Sequence, residues 1–236
     1  MRRFASALLT ASVLAIGFGQ IASAADLPRR QPAYIPPPLP VYTWTGCYVG
    51  VNLGGAWGRA EMTDLATGAG VSATNNGFAG GGQIGCDYQL GTFVIGIRNM
   101  FDGTSLRGDA TFGVGALAGF TGHTQTDWFD TLTARAGYLV QPNWLFYAQG
   151  GAAWMRSTQT ISSAGAQIAE LSNNRTGWTV GGGTEYMFAP HWSVFLEYNY
   201  MNFGTTNANF VVGATPVSVD VKRDAQNVLV GVNYKF

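Results

Sequence analysis

From Trp44 to the C-terminus the chain alternates between apolar and polar or small positions with a period of two, the spacing of a β-strand. In WTGCYVGVNLGGAWG, Cys47, Val49, Val51, Leu53 and Trp57 fall on one face, with Tyr48, Gly50, Asn52, Gly54 and Ala56 on the other. GFAGGGQIGCDYQL sets Phe78, Ile84, Cys86, Tyr88 and Leu90 against Gln83, Asp87 and Gln89. TFVIGIRNMFD sets Phe93, Ile95, Ile97 and Phe101 against Arg98 and Asp102. DWFDTLTARAGYLV sets Trp128, Leu132, Ala134, Ala136 and Tyr138 against Thr131, Thr133 and Arg135. NWLFYAQGGAAW sets Trp144, Phe146, Ala148, Ala152 and Trp154 against Tyr147 and Gln149. TGWTVGGGTEYMF, WSVFLEYNY and the terminal NVLVGVNYKF continue in the same way, with Glu185, Glu197, Asn199, Asn227, Asn233 and Lys235 on the second face. The pattern predicts eight strands, and no long stretch keeps the period of a helix.

The connections alternate as well. Short turns near Leu90-Gly91, Gln141-Pro142 and Ala189-Pro190-His191 join strands two to three, four to five and six to seven. The other connections read as long polar loops over roughly 60–76, 105–126, 157–175 and 205–221. Short turns at one end and long loops at the other are the layout of an outer-membrane barrel. Composition agrees: 11% of residues are charged, less than half of the roughly 25% usual for a soluble domain. Beyond the N-terminus no apolar run approaches the roughly 20 residues that a membrane helix needs. The expected fold is therefore all-β, an eight-stranded antiparallel up-and-down transmembrane β-barrel over residues 44–236. A soluble ligand-carrying barrel would require the apolar face to point inward.

In that fold the apolar face meets lipid. Trp57, Trp128, Trp144, Trp154, Trp178 and Trp192 stand at strand ends on it, where an aromatic girdle belongs. The second face, rich in glycine and sparing in charge, suits a narrow lumen. Its inward charges, Asp87, Arg98, Asp102, Arg135, Glu185 and Glu197, are of both signs and are expected to pair, because an isolated buried charge is very costly. They form a lumen charge network that plugs the barrel or, on the alternative reading, sets the selectivity of a small porin with a narrow channel.

The N-terminus reads as a secretory signal peptide over 1–24: Arg2 and Arg3, an apolar core from Phe4 to Phe18, then Ala22-Ser23-Ala24. The arginine pair is also an ordinary start for such a leader, so twin-arginine export is not required. Residues 25–43 hold six of the nine prolines and read as an extended periplasmic linker. Losing Arg2 and Arg3 takes 13 basic and 13 acidic residues to a net charge of −2, which gives no footprint for nucleic acid.

Candidate chemistry is sparse. Gly80-Gly81-Gly82-Gln83-Ile84-Gly85 has the spacing of a dinucleotide turn, but alternation continues through Leu90 where a phosphate-binding helix is needed. The glycines are expected to relieve crowding inside a barrel strand. An outer-membrane barrel enzyme would have to use His123, with Asp127 and Asp130 nearby, since His191 falls in a turn at the other end. No G-x-S-x-G or H-E-x-x-H is present and no second His or Cys sits at ligand spacing. The expectation is no enzyme, no cofactor and no metal. Cys47 and Cys86 lie on the lipid face of adjacent strands, and the hairpin register makes them near neighbours. A disulfide is allowed in an exported protein, and free thiols are the alternative. The N-R-T at Asn174 matches a glycosylation acceptor that has no meaning in a bacterial outer membrane.

With AADLP after the leader, WTGCYVGVNLGGAWG, GFAGGGQIGCDYQL, DWFDTLTARAGY, TGWTVGGGTEY and NVLVGVNYKF, the chain resembles the small immunogenic outer-membrane barrels of alphaproteobacteria. That family is porin-family-like and related to OmpA-like eight-stranded domains, and the resemblance covers nearly all of 24–236. It implies an outer-membrane location, a surface-exposed antigen- or adhesion-like role, and no agreed catalytic activity. It also implies that Phe236 belongs to the C-terminal assembly signal read by the barrel-assembly machinery. The chain departs from the family in carrying cysteines at 47 and 86, where an aromatic is usual, and Arg98 where an acid is usual. The expected partners are outer-membrane lipid, the assembly machinery and a surface ligand held by the long loops, with the barrel a monomer.

Overall fold

The computed structural model describes residues 41–64, 70–111, 120–163, 166–212 and 215–236, so the expected signal peptide and all but the last three residues of the linker lie outside the described residues. Eight strands follow one another: β1 Gly46–Asp64, β2 Gly70–Leu90, β3 Phe93–Thr111, β4 Phe120–Gln141, β5 Trp144–Ser163, β6 Ala166–Ala189, β7 Trp192–Val212 and β8 Thr215–Lys235. Each is antiparallel to the next, and β1 pairs with β8 to close the barrel. Closure leaves no strand edge within the membrane, so the backbone polar groups there are satisfied by the ladder. Two-residue turns at 91–92, 142–143 and 190–191 stand together at one end of the barrel, the end expected to be periplasmic. Gly91 takes φ 63°, a conformation that favours glycine. Pro142 and Pro190 sit in the other two turns, where the missing N–H breaks no ladder bond.

The strands are longer than the hydrophobic pattern predicts. The ladders run on to Thr63↔Gly70, Thr111↔Thr121, Ser163↔Ala166 and Val212↔Thr215, so most of the segments expected as loops are strand. The physical reason is that alternation requires one wet and one dry face. Beyond the lipid belt Thr, Ser and Asn occupy many positions on both faces, the period fades, and backbone pairing continues without it.

Two ladders stop short. Pairing of β6 with β7 ends at Trp178↔Asn202, and pairing of β2 with β3 ends at Asn76↔Arg107. Past those points the strands form two four-stranded sheets, β7-β8-β1-β2 and β3-β4-β5-β6. A bulge between Asn202 and Thr205, with Gly204 at φ 68°, marks where β7 leaves β6.

Outward positions are apolar and exposed over a belt, as at Val49, Val51, Leu53 and Trp57 on β1 and Val228, Val230 and Tyr234 on β8. Inward positions are buried and layered. A large apolar cluster holds Leu106, Phe129, Met155, Met201 and Phe203 near the outer rim. A second one holds Trp44, Val94, Leu139, Leu145 and Met187 at the periplasmic end. Between them stand the charged residues, an order legible along β4 as Phe129, Arg135, Leu139. The interior is thus more apolar than the glycine-rich, sparsely charged lining read from the sequence. The lumen of an eight-stranded barrel is only about side-chain wide, and its described inward positions carry large apolar side chains as well as charges.

Candidate functional site

Alternation on β2 to β7 turns all six predicted charges inward, and each is buried. Arg135 stands at the centre. Its Nε donates to Asp87 Oδ1 at 2.8 Å and its Nη1 to Glu185 Oε2 at 2.8 Å. Lys235 Nζ joins from β8, 2.7 Å from Asp87 Oδ2 and 2.8 Å from the carbonyl of Trp44. Glu185 also accepts from Ser193 Oγ at 2.5 Å and Asn233 Nδ2 at 3.0 Å. One storey further out, Arg98 is ion-paired with Glu197, which accepts from Tyr147 Oη at 2.7 Å and Asn199 Nδ2 at 2.6 Å. Aromatic rings back the cations: Arg135 lies 5.0 Å from the centre of Tyr48 and 5.1 Å from that of Tyr147. Charge-assisted bonds to both carboxylate oxygens are what allow such groups to be buried.

Asp102 is not brought into these ion pairs. Its Oδ1 accepts from Asn52 Nδ2 at 2.9 Å, and Asn52 continues through Gln83 to Asn233. The acid therefore joins the network through amides alone. Parity places Lys235, Tyr48, Tyr147 and Gln149 inward, but their membership was not legible, because the partners come from strands that are not neighbours. Glycines give the network its space. A Cβ at Gly96 would lie 2.1 Å from Asp87 Oδ1, and one at Gly85 would lie 2.5 Å from Tyr48 Oη. Gly85 is the last residue of the G-x-G-x-x-G spacing, and it accommodates a tyrosine in mid-strand.

Cys47 and Cys86 oppose each other in the β1–β2 register and are joined by a disulfide on the outward face. Trp57, Trp128, Trp154 and Trp178 stand at the outer rim and Trp144 and Trp192 at the periplasmic rim, all on the outward face. Trp192 meets Tyr234 edge-on at 5.1 Å, and Trp144 Nε1 donates to Thr184 Oγ1 at 2.6 Å. The seventh tryptophan, Trp44, is fully buried at the periplasmic mouth, with Nε1 donating to Pro142 O at 3.0 Å. His123 lies on β4 outside the belt, opposite Asp109 and Thr160 in register. Of its expected acidic neighbours, Asp127 accepts from Thr158 and Asp130 from Asn99. His191 stays in its turn, with Nδ1 2.9 Å from Lys235 O. Phe236 points outward at 69% exposure, and its N–H donates to Cys47 O at 3.1 Å. Among the described residues no three His, Cys, Asp or Glu side chains gather to hold a metal.

Residues 11–236 match the family of the outer membrane protein beta-barrel domain. The chain belongs to that family. It is 31% identical to the 31 kDa outer-membrane immunogenic protein of Brucella melitensis over 97% of this chain and 99% of that protein. It is 29% identical to the 25 kDa outer-membrane immunogenic protein of Brucella abortus over the whole of both. Among solved structures, the outer membrane protease OmpT of Escherichia coli superposes with a TM-score of 0.51 at 9% identity, covering 83% of this chain and 98% of that one. OprG of Pseudomonas aeruginosa does so with 0.51 at 14% identity, covering 84% and 99%. These two share the barrel fold. Membership of the family places the chain in the bacterial outer membrane, with its exposed apolar belt against lipid. On β1 that belt runs over 49–57, close to the 9–11 residues of a tilted membrane strand.

Proposed function

We propose that this barrel does not conduct, and that its role lies in the polar strand extensions it holds above the outer membrane as an antigen- or adhesion-like surface. The observation that carries the reading is the stack of three buried interior layers: the outer apolar cluster, the ion pairs of Arg135 and Arg98, and the inner cluster under Trp44. The carboxylates of Asp87, Glu185 and Glu197 are each held by a cation, and large apolar side chains fill the lumen on either side of them. The extensions support the second half. On β6, residues 166–177 precede the rim tryptophan Trp178, a strand length that rises roughly 30 Å at ordinary tilt. The Brucella relatives are immunogenic outer-membrane proteins by name, as a surface-displayed barrel would be.

Catalysis and cofactors have no part in this proposal, in which His123 belongs to the displayed wall. The monomeric barrel meets lipid along its belt and the assembly machinery through its last strand. The test has two arms. Purified barrel in a planar bilayer is expected to give no stable unitary steps, and well-resolved steps would favour the small porin. On intact cells, Asn174→Cys is expected to react with a membrane-impermeant maleimide; protection until lysis would defeat surface display.

A further inference from the structure

The lipid-facing wall is not uniform. On β1 it carries Val49, Val51 and Leu53, and on β3 Ile95, Ile97 and Phe101, all of them exposed. On β4, β5 and β6 one register row is nearly bare: Ala136 stands opposite Ala148, and Ala148 opposite Gly182. The next outward-facing row toward the turns is large again, with Tyr138 opposite Phe146. The result is a groove of about 900 Å³ floored by Ala136, Ala148 and Gly182.

Two ring pairs build its lip at the periplasmic end. Phe93 meets Tyr138 edge-on at 5.5 Å, and Phe146 stacks on the girdle residue Trp144 at 5.5 Å. Leu196 and Tyr198 of β7 form the far side. Of the lining residues Glu197 alone carries a charge, and its side chain is turned into the lumen against Arg98. The Thr184 hydroxyl is already engaged by Trp144 Nε1. The groove thus has the size of a ligand cleft, roughly 300–1,000 Å³, and offers a ligand hydrocarbon.

What fills it follows from where it lies. The groove is continuous with the exposed apolar belt, which meets lipid, and it opens beside the periplasmic girdle. A gap over Ala148 would forfeit the dispersion contacts of its floor. A chain laid in it touches the floor and both sides, whereas a chain beside Val51 or Leu53 touches one surface only. We infer that this groove binds one acyl chain of a phospholipid of the periplasmic leaflet and holds it longer than the rest of the belt holds its lipid. The chain lies on Ala136, Ala148 and Gly182, between Phe146 at the lip and Tyr198 on the far side, with its glycerol end at the level of Trp144.

The test uses the whole barrel folded into phosphatidylcholine vesicles. After extraction into dodecyl maltoside and prolonged washing, phospholipid phosphorus is counted against protein, and one phospholipid retained per barrel is the expected result. In vesicles doped with a phosphatidylcholine that bears a mid-chain diazirine, irradiation is expected to label the β4–β6 wall several-fold above the β1 belt at Val49–Leu53. Ala148→Phe fills the groove and leaves the inward face untouched, so the retained lipid is lost and the labelling becomes even. Val51→Phe, on the far side of the barrel, keeps both. Heat-modifiable gel migration checks that each variant is folded, and Ala136→Leu is the second filling variant. No retained phospholipid in the native barrel, even labelling around its belt, or folded filling variants that behave like Val51→Phe would each overturn the site.

Discussion

Gly96 of β3 stands opposite Asp87 of β2, and a side chain there would meet the carboxylate oxygen at 2.1 Å. Gly96→Ala therefore pushes Asp87 out of reach of Arg135 and Lys235, and overpacking of this kind costs about 1–3 kcal/mol. The measurement is the unfolding midpoint in detergent. The control is Gly82→Ala, where the nearest atom to the new Cβ is 3.4 Å away; equal midpoints for the two variants would show that the network tolerates displacement. Arg135→Met goes further. It strips Glu185 of its guanidinium while Lys235 still holds Asp87, and a buried carboxylate left alone costs about 3–5 kcal/mol. A matching loss in urea unfolding is expected, and a neutral result would mean that water replaces the arginine.

The β1–β2 hairpin is stapled by a disulfide that spans 39 residues of sequence. Because the link restricts the unfolded chain, replacing both cysteines by serine should lower stability by about 2–4 kcal/mol. The same shift should follow reduction of the native protein, and coincident unfolding curves with and without reductant would remove the staple from the account. The height of the belt is testable on the same strands. Leu53 is 66% exposed at mid-belt, so Leu53→Arg faces hydrocarbon and should cost about 2–4 kcal/mol. Thr74→Arg, on the exposed outer extension of β2, should cost close to nothing. Equal costs would place the membrane boundary elsewhere.

For the whole molecule, the three interior layers seal independently if the barrel is silent for the reason proposed. Phe129→Ala with Phe203→Ala thins the outer layer, Arg98→Ala with Glu197→Ala removes one ion pair, and Leu145→Ala with Met187→Ala thins the inner layer. Each pair alone should leave a planar bilayer quiet, and all six substitutions together should produce conductance. Current from a single pair would show that one layer carries the seal. The split of the outer wall into two four-stranded sheets is also a property of the whole chain. The strands that separate, β2 from β3 and β6 from β7, are joined by the tight periplasmic turns, so each hairpin diverges from its closed end.

By itself the sequence determined the strand count, the face each belt residue presents, the short turns at one end and the six inward charges. All of these follow from a period of two in which one face is dry. Val49, Ile95 and Val230 need lipid, and the residues between them must then face inward. The tertiary structure decided what a local period does not encode. The outer halves of the strands carry polar side chains on both faces, so their pairing shows only in the hydrogen-bond ladder. Arg135 meets Asp87, Glu185 and the rings of Tyr48 and Tyr147 because closing eight strands brings β1, β2, β4, β5 and β6 within a side chain's length across the lumen. Arg223 reaches Ser157 on β5 for the same geometric reason. Its position along β8 delivers it to the outer mouth, across the lumen from β5.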